Sequence, residues 1–167
     1  PRFSQAADDN NLSALDFEAM MNTDKVTCKN GQAPGSVALI HCAGREERGY
    51  CSKVCCLYLL RYAQYLREKL PETEVLEFYS ELCLHHKDDQ AFFDEAKAKG
   101  VRFIRTENDV ELSSRTGRIE VAYTSSGKRK TESVDMAVLA PAIIPSDSSR
   151  DLASMLNIPL DETGFFK

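Results

Sequence analysis

The sequence lacks the features that mark membrane-spanning and exported proteins. No stretch of its 167 residues approaches the roughly 18 consecutive apolar residues that a membrane-spanning helix needs. Its start shows no succession of positive charge, apolar core and small residues, so the pattern of a signal peptide is missing. We therefore expect a cytoplasmic protein without membrane insertion. Its cysteines are then reduced thiols or metal ligands, because stable disulfides are rare in the cytosol.

An excess of basic residues is missing as well. The chain has 21 Lys and Arg against 26 Asp and Glu, which gives a net charge of -5. Nucleic-acid-binding proteins concentrate Lys and Arg so that counterions are released from phosphates. The one dense basic run, Lys128, Arg129 and Lys130, lies between two strand-like segments and is predicted to be a solvated hairpin tip. We therefore expect no nucleic-acid partner.

The glycine motif of nucleotide-binding folds is the third absence. In such folds a strand leads through a G-x-G-x-x-G loop into a helix, and the loop holds the pyrophosphate. Here the apolar run at residues 37–41 predicts the strand and an amphipathic helix follows, but thiols occupy the loop. Glu77 and Glu81, at the end of the next strand, could hold an adenosine ribose. Because the glycine loop that would hold the pyrophosphate is missing, we expect the chain not to bind NAD.

Four of the six cysteines lie in or next to this loop, as Cys42, Cys51, Cys55 and Cys56. Iron-sulfur clusters need several converging thiolates, and three of these cysteines arrive at a predicted helix N-terminus, whose dipole favours anions. Adjacent helical side chains diverge by about 100°, so Cys55 and Cys56 reach a bulky cluster more easily than a single zinc ion. Three basic residues nearby would offset the cluster's negative charge: Arg45, Arg48 and Lys53. The pattern predicts a [4Fe-4S] site on these four cysteines.

Other interpretations of the same residues stay open. Cys55 lies on the apolar stripe of the predicted helix and could be a small core residue, and four thiols could bind zinc. His41 and Cys42, followed by five residues and Arg48, match the H-C-x5-R signature of cysteine phosphatases. Against this alternative, two glutamates would put negative charge into a loop meant to bind a dianion. A domain whose cysteines are structural, and which docks partner subunits, is the main alternative to the cluster.

Four further residues are assigned no site. Cys28 and Cys83 stand apart from the cysteine loop and are predicted to be lone thiols. His85 and His86 could be metal ligands, but the segment around them is polar, which favours a solvated loop.

Hydrophobic periodicity predicts alternating strands and helices. The predicted buried strands are residues 37–41, 74–79, 101–105 and 136–140. Helices are predicted after Ser52, which we expect to be an N-cap, with a stripe ending near Pro71; at 90–99, ended by Gly100; and at 149–156. Strand segments at 110–112, at 119–124 and after residue 130 are joined by turn sequences, which predicts an antiparallel meander.

This order predicts a Rossmann-like α/β domain, in which helices flank a parallel sheet and an antiparallel β-meander is added. We assign it residues 36–167, including the cysteine loop. Residues 1–35 are predicted to be an N-terminal tail, a short helix capped by Ser13, and a turn-rich linker. The first dozen residues are polar and lack periodicity, which favours a tail.

The order resembles the NAD(P)-binding domain of thioredoxin-reductase-like flavoproteins. Residues 135–146, DMAVLAPAIIPS, occupy the place of the D-x-V-x-x-A-T-G-x-x-P-N segment of that group, with Pro141 and Ala142 instead of its Thr-Gly pair. Residues 157–166, NIPLDETGFF, are similar to the phrase that follows it.

Three segments resemble a more specific family. They are CAGREERGYCSKVCC at 42–56, LPETEVLEFY at 70–79 and AFFDEAKAKGVRFIR at 91–105. They look like the middle of the heterodisulfide reductase A subunit and of the A-like subunits of quinone-interacting oxidoreductase complexes, with a shorter spacing between Cys42 and Cys51. The resemblance covers residues 15–166. It implies an electron-transfer module of an iron-sulfur flavoprotein subunit that passes electrons between partner subunits, with FAD held elsewhere in the parent subunit. We expect the isolated domain to lack turnover, and to lack the cluster when it is purified in air.

Overall fold

The computed structural model describes residues 9–167, so the first eight residues of the predicted tail lie outside it. Eight strands form two sheets. In chain order they are β1 (Asn11–Ser13), β2 (Ser36–Ala43), β3 (Glu74–Tyr79), β4 (Arg102–Arg105), β5 (Glu111–Arg115), β6 (Arg118–Ser125), β7 (Lys128–Val134) and β8 (Met136–Pro141). Five strands form a parallel sheet in the order β1-β8-β2-β3-β4, and β5, β6 and β7 form an antiparallel meander.

Within the described part of the chain, five helices accompany the strands. They are α1 (Ala14–Asn22), α2 (Arg45–Arg48), α3 (Cys55–Lys69), α4 (Asp89–Ala98) and α5 (Ser149–Leu156). Ser13 caps α1 as predicted: its hydroxyl accepts the N–H of Asp16, and the Asp16 carboxylate accepts the N–H of Ser13. Gly100 follows α4 with φ +86°, the left-handed conformation expected after a helix. Within residues 9–167, no helix is long and apolar enough to cross a membrane.

Each face of the parallel sheet covers a separate core. Successive side chains of a strand point to opposite faces. Val37 and Leu39 of β2 pack with α1, α3 and α4, while Ala38 and Ile40 pack against the meander. This arrangement confirms the predicted fold class, a parallel sheet flanked by helices with an antiparallel meander.

Three local predictions differ from the structure. Residues 11–13, assigned partly to the polar tail, pair with β8 as the edge strand β1. Residues 128–130 are exposed, but they belong to β7, because the turn before them contains only Ser126 and Gly127. Ser52 does not cap α3, which begins at Cys55 without a side-chain cap. Residues 11–13 and Ser52 form hydrogen bonds with residues distant in sequence, which the local pattern does not show. The turn before β7 is shorter than the sequence pattern suggests.

Candidate functional site

The cysteine loop lies where β2 and β3 end and α3 begins. Near its end β2 is irregular: its register with β8 shifts between Ile40 and Ala43, and Cys42 has φ +58°. This conformation is uncommon for a residue other than glycine. The short helix α2 follows, between Gly44 and Gly49, which both have positive φ. The loop therefore turns sharply after Cys42 and returns to the start of α3.

The four predicted cysteines line one small cavity. Its wall contains Cys42, Cys51, Cys55 and Cys56. Other lining residues include Arg45, Lys53, Ala140 of β8 and Ala142, which follows β8. The cavity has a volume of about 20 Å³, enough for about one water molecule. The structure thus brings the four thiols together, in a closed arrangement that a bulky group would have to widen.

The N-terminus of α3 faces this site without a side-chain cap. Cys55 and Cys56 are its first two residues. The first N–H groups of a helix have no partner within the helix, and they attract anions when no side chain caps them. The hydroxyl of Ser52 instead accepts the N–H of Ile143 at 2.9 Å, which ties the cysteine loop to the segment after β8.

Burial raises the pKa of two thiols of the site, Cys56 and Cys42. It raises the pKa of Cys56 to about 12. Burial also raises the pKa of Cys42, although a hydrogen bond from the Arg45 guanidinium opposes this shift. Both groups are therefore protonated at neutral pH. Because metal ions bind thiolates, cluster binding here would release protons, and Arg45 is the cation placed to stabilise the thiolate of Cys42.

Cys83 is a fifth cysteine at this site, which the sequence analysis missed. Its Sγ lies 3.9 Å from Sγ of Cys51, and its backbone N–H donates to Sγ of Cys56 at 3.3 Å. The prediction of a lone thiol is therefore wrong for Cys83. A signal was present in the sequence: Cys83 follows β3, and the carboxyl ends of neighbouring parallel strands meet at one edge of the sheet. Cys28 lies elsewhere and donates to the backbone oxygen of Asp135 at 3.8 Å.

A buried pair lies next to the cysteine loop in the sequence and in the sheet. His41 Nε2 is 2.5 Å from Glu77 Oε1, and both side chains are fully buried. The second polar atom of each side chain, His41 Nδ1 and Glu77 Oε2, has no hydrogen-bond partner among residues 9–167. Glu77 is therefore not presented to a ribose. Glu81, the other acidic residue considered for that role, contacts Arg45 at 3.1 Å.

The geometry does not form a phosphate cradle around Cys42. Arg48 lines a neighbouring cavity with Glu47 and Tyr50, and it is not among the residues that line the cavity around Cys42. The N–H of Arg48 donates to the oxygen of Gly44 within the turn of α2. The H-C-x5-R match thus lacks the arginine placement that the phosphatase interpretation requires.

The two adjacent histidines lie in an exposed loop, as predicted. The N–H groups of His85 and His86 both donate to Oδ2 of Asp89, the first residue of α4, at 2.8 and 2.9 Å. Among residues 9–167, no three His, Cys, Asp or Glu side chains are arranged to hold a single metal ion.

Comparison with known proteins gives relatives of one kind. No protein-family model matches the chain. It is 32% identical over 169 residues to the A subunit of the H(2):CoB-CoM heterodisulfide,ferredoxin reductase of Methanothermobacter thermautotrophicus, an alignment that covers 93% of this chain and 26% of that protein. It is 33% identical over 144 residues to a protein of Archaeoglobus profundus that is named as similar to the heterodisulfide reductase A subunit, covering 80% of this chain and 20% of that protein.

Solved structures share the fold at low sequence identity. The Cu(II) complex of the flavoprotein disulfide reductase RclA from Escherichia coli matches with a TM-score of 0.60 and 13% identity, over 96% of this chain and 31% of that one. Histamine dehydrogenase from Rhizobium matches with a TM-score of 0.54 and 14% identity, over 89% and 20%. The chain spans about a quarter of the curated relatives it matches. The predicted resemblance is confirmed: the chain is a relative of the heterodisulfide reductase A subunit, and it corresponds to about a quarter of that protein.

Proposed function

We propose that this chain is an electron-transfer module whose cysteine loop binds one [4Fe-4S] cluster. One observation carries the proposal: four cysteines from β2, the loop and α3 line a single cavity at a helix N-terminus that no side chain caps. Thiolates are the ligands of iron-sulfur clusters. The helix dipole and Arg45 supply the positive potential that a cluster with four thiolates needs.

In this proposal Cys42, Cys51, Cys55 and Cys56 are the ligands. A bound cluster would supply one-electron transfer. The protein supplies the ligands, the surrounding hydrogen bonds and the apolar packing, which together set a cluster's potential. The N–H of Lys53 donates to Sγ of Cys51, and the N–H of Cys83 donates to Sγ of Cys56. Hydrogen bonds to ligand sulfurs are among the factors that set a cluster's potential, and these two would raise it.

The relatives suggest the larger context. One curated relative, from Methanocaldococcus jannaschii, is named as the iron-sulfur A subunit of a CoB--CoM heterodisulfide reductase. We infer that the parent subunit of this chain holds FAD in another segment and works with other subunits of a redox complex. The cluster would then relay electrons between that flavin and the neighbouring iron-sulfur subunits.

Anaerobic reconstitution tests the cluster directly. The chain is reduced, supplied with iron and sulfide, desalted, and analysed for both elements and by EPR after reduction. We expect about four irons and four sulfides per chain, as a [4Fe-4S] cluster contains. Cys42→Ser and Cys55→Ser should lose the cluster. Cys28→Ser is the matched control and should keep it, because Cys28 lies outside the site. Bound zinc or no metal in the unmodified chain would refute the proposal.

A docking domain with structural cysteines is the second candidate, and exposed apolar residues favour it. Leu15 is 76% exposed and Ile144 53% exposed, and both line a groove of about 570 Å³ beside Tyr58. Scattered apolar side chains are ordinary on a surface, whereas a contiguous apolar groove indicates a binding site. The reconstitution experiment separates the two candidates, since a docking domain keeps its fold but takes up no iron.

A further inference from the structure

The site contains five thiols, one more than a cluster with four cysteine ligands uses. The fifth, Cys83, is in contact with Cys51 at an Sγ–Sγ distance of 3.9 Å. Both residues lie in loops and are partly exposed, Cys51 before α3 and Cys83 after β3. Cys51 thus has two alternative partners, a cluster in the cavity or the sulfur of Cys83.

We propose that Cys51 and Cys83 form a redox-active dithiol, which a low-molecular-weight disulfide oxidises to an intramolecular disulfide when no cluster is bound. The bond removes Cys51 from the ligand set, so the oxidised chain cannot accept the cluster. This second consequence rests on the proposed function, whereas the formation of the bond does not.

The distance between the sulfurs permits this reaction. A disulfide has an S–S length of about 2.05 Å, so the two sulfurs have to approach by roughly 2 Å. Both residues lie outside helices and strands, so we infer that rotation of their side chains, with small shifts of the loops, brings the sulfurs together. The N–H of Cys83 donates to Sγ of Cys56, which anchors the Cys83 backbone at the site while its side chain reaches Cys51.

The other thiols are less suited to the reaction. Cys55 is 8% exposed and packs in the core between the sheet and α3, and Cys56 is 3% exposed. Cys42 is partly exposed, but Arg45 hydrogen-bonds its sulfur. A small disulfide therefore reaches Cys51 and Cys83 before the cysteines of α3.

The chemistry is two successive thiol-disulfide exchanges. One cysteine thiolate attacks a sulfur of R–S–S–R, which breaks that bond and releases one RS⁻. The second cysteine then attacks the mixed disulfide, forms the Cys51–Cys83 bond and releases the second RS⁻. The two cysteine sulfurs lose two electrons, the small disulfide gains them, and the two thiol protons end on the two RSH molecules.

Peptide mapping tests the bond. The reduced, cluster-free chain is incubated with oxidised glutathione, remaining thiols are alkylated, and the peptides are analysed by mass spectrometry without reduction. We expect a peptide pair linked through Cys51 and Cys83, with no glutathione retained there. Cys83→Ser should keep glutathione on Cys51, because the resolving thiol is missing, and Cys28→Ser should behave like the unmodified chain. A bond between another pair, or glutathione retained on both residues in the unmodified chain, overturns the inference.

Reconstitution of the oxidised chain tests the second consequence. Iron uptake should fall by roughly tenfold or more, since the loss of a ligand weakens a metal site at least as much as the loss of an outer-shell partner does, and dithiothreitol should restore it. Equal uptake by the oxidised and reduced chains contradicts the block but leaves the cluster proposal standing. If the reduced chain takes up no iron, the cluster proposal fails, while the peptide map still decides whether the dithiol exists.

Discussion

At the scale of single residues, His41 and Glu77 form a fully buried polar pair next to the site. The two side chains are fully buried, and they meet at 2.5 Å across neighbouring strands. Removing one partner of such a pair leaves the other buried without its hydrogen bond, which costs more than the pair itself contributes.

We predict that Glu77→Leu lowers the free energy of unfolding by about 3 kcal/mol, because His41 is then left unpaired. The same holds for His41→Leu. The double variant should lose clearly less than the sum of the single losses, since an apolar pair of similar size needs no hydrogen bond. Urea unfolding of the four proteins measures this coupling. Additive losses would show that the two side chains do not depend on each other.

At the scale of elements, the capping box of α1 secures the first helix against the sheet. Ser13 belongs to β1 by its backbone pairing and caps α1 with its hydroxyl. We predict that Ser13→Ala lowers the free energy of unfolding by about 1 kcal/mol, the usual cost of losing such a cap. Ser154→Ala, on an exposed position inside α5, is the control and should change stability by only a few tenths of a kcal/mol. Thermal unfolding of both variants compares them, and equal midpoints would contradict the capping role.

Asp135 joins the meander to the parallel sheet. Its Oδ2 accepts the N–H of Ser36 at 2.9 Å, and its Oδ1 accepts from Arg118 at 2.7 Å. Ser36 begins β2 and Arg118 begins β6, so one carboxylate holds both sheets at the end opposite the cysteine loop.

We predict that Asp135→Ala costs about 2–3 kcal/mol of unfolding free energy, because the buried N–H of Ser36 and the Arg118 guanidinium both lose a charged acceptor. Asp135→Asn keeps one oxygen acceptor and should cost less. Asp147→Ala, at an exposed position, should stay within about 0.5 kcal/mol. Urea unfolding ranks the three variants. A cost for Asp135→Ala no larger than that for Asp147→Ala would remove Asp135 from this role.

At the scale of the whole molecule, buried groups that ionise at high pH set the alkaline limit of stability. Burial raises the pKa of Cys56 to about 12 from an ordinary value of 9.0, and burial raises the pKa of Tyr62 to about 12 from 10.0. Below pH 9 both groups are protonated in the folded and unfolded chains. Above it the unfolded chain releases protons that the folded chain retains. Stability therefore falls as the pH rises from 9 towards 12.

We predict that the Cys56 thiol lowers the free energy of unfolding by roughly 1 kcal/mol per pH unit in this window, and that Tyr62 adds to the decline only above its ordinary pKa of 10.0. Cys56→Ala removes one of the groups and should make the decline less steep by about that amount. Urea unfolding under reducing conditions at about pH 8 and about pH 10.5, on either side of the onset of ionisation, measures both slopes. An identical decline in the variant would show that Cys56 does not ionise on unfolding.

The sequence predicts the helices and strands closely, and it predicts four of the five cysteines that the fold brings together. The predicted strand at 101–105 and the predicted helix at 90–99 agree closely with β4 and α4, and residues 74–79 and 149–156 match β3 and α5. These elements follow from periodicity, which is a property of neighbouring residues. Ser52 shows the limit: its residue type suits an N-cap, but its hydroxyl accepts from Ile143, 91 residues away.

The α/β order, the four cysteines of one loop and the relationship to the heterodisulfide reductase A subunit follow from the amino-acid sequence, because each is a pattern along the chain. Which thiols meet follows from the folded arrangement of the strands. Cys51 and Cys83 are 32 residues apart, and they touch because β2 and β3 are parallel neighbours that end at the same edge of the sheet. That adjacency depends on the sheet order, and no local pattern specifies it. The sequence predicts a cluster site with four thiols, whereas the fold brings five thiols together and places the sulfur of Cys83 beside Cys51, one of the four proposed ligands.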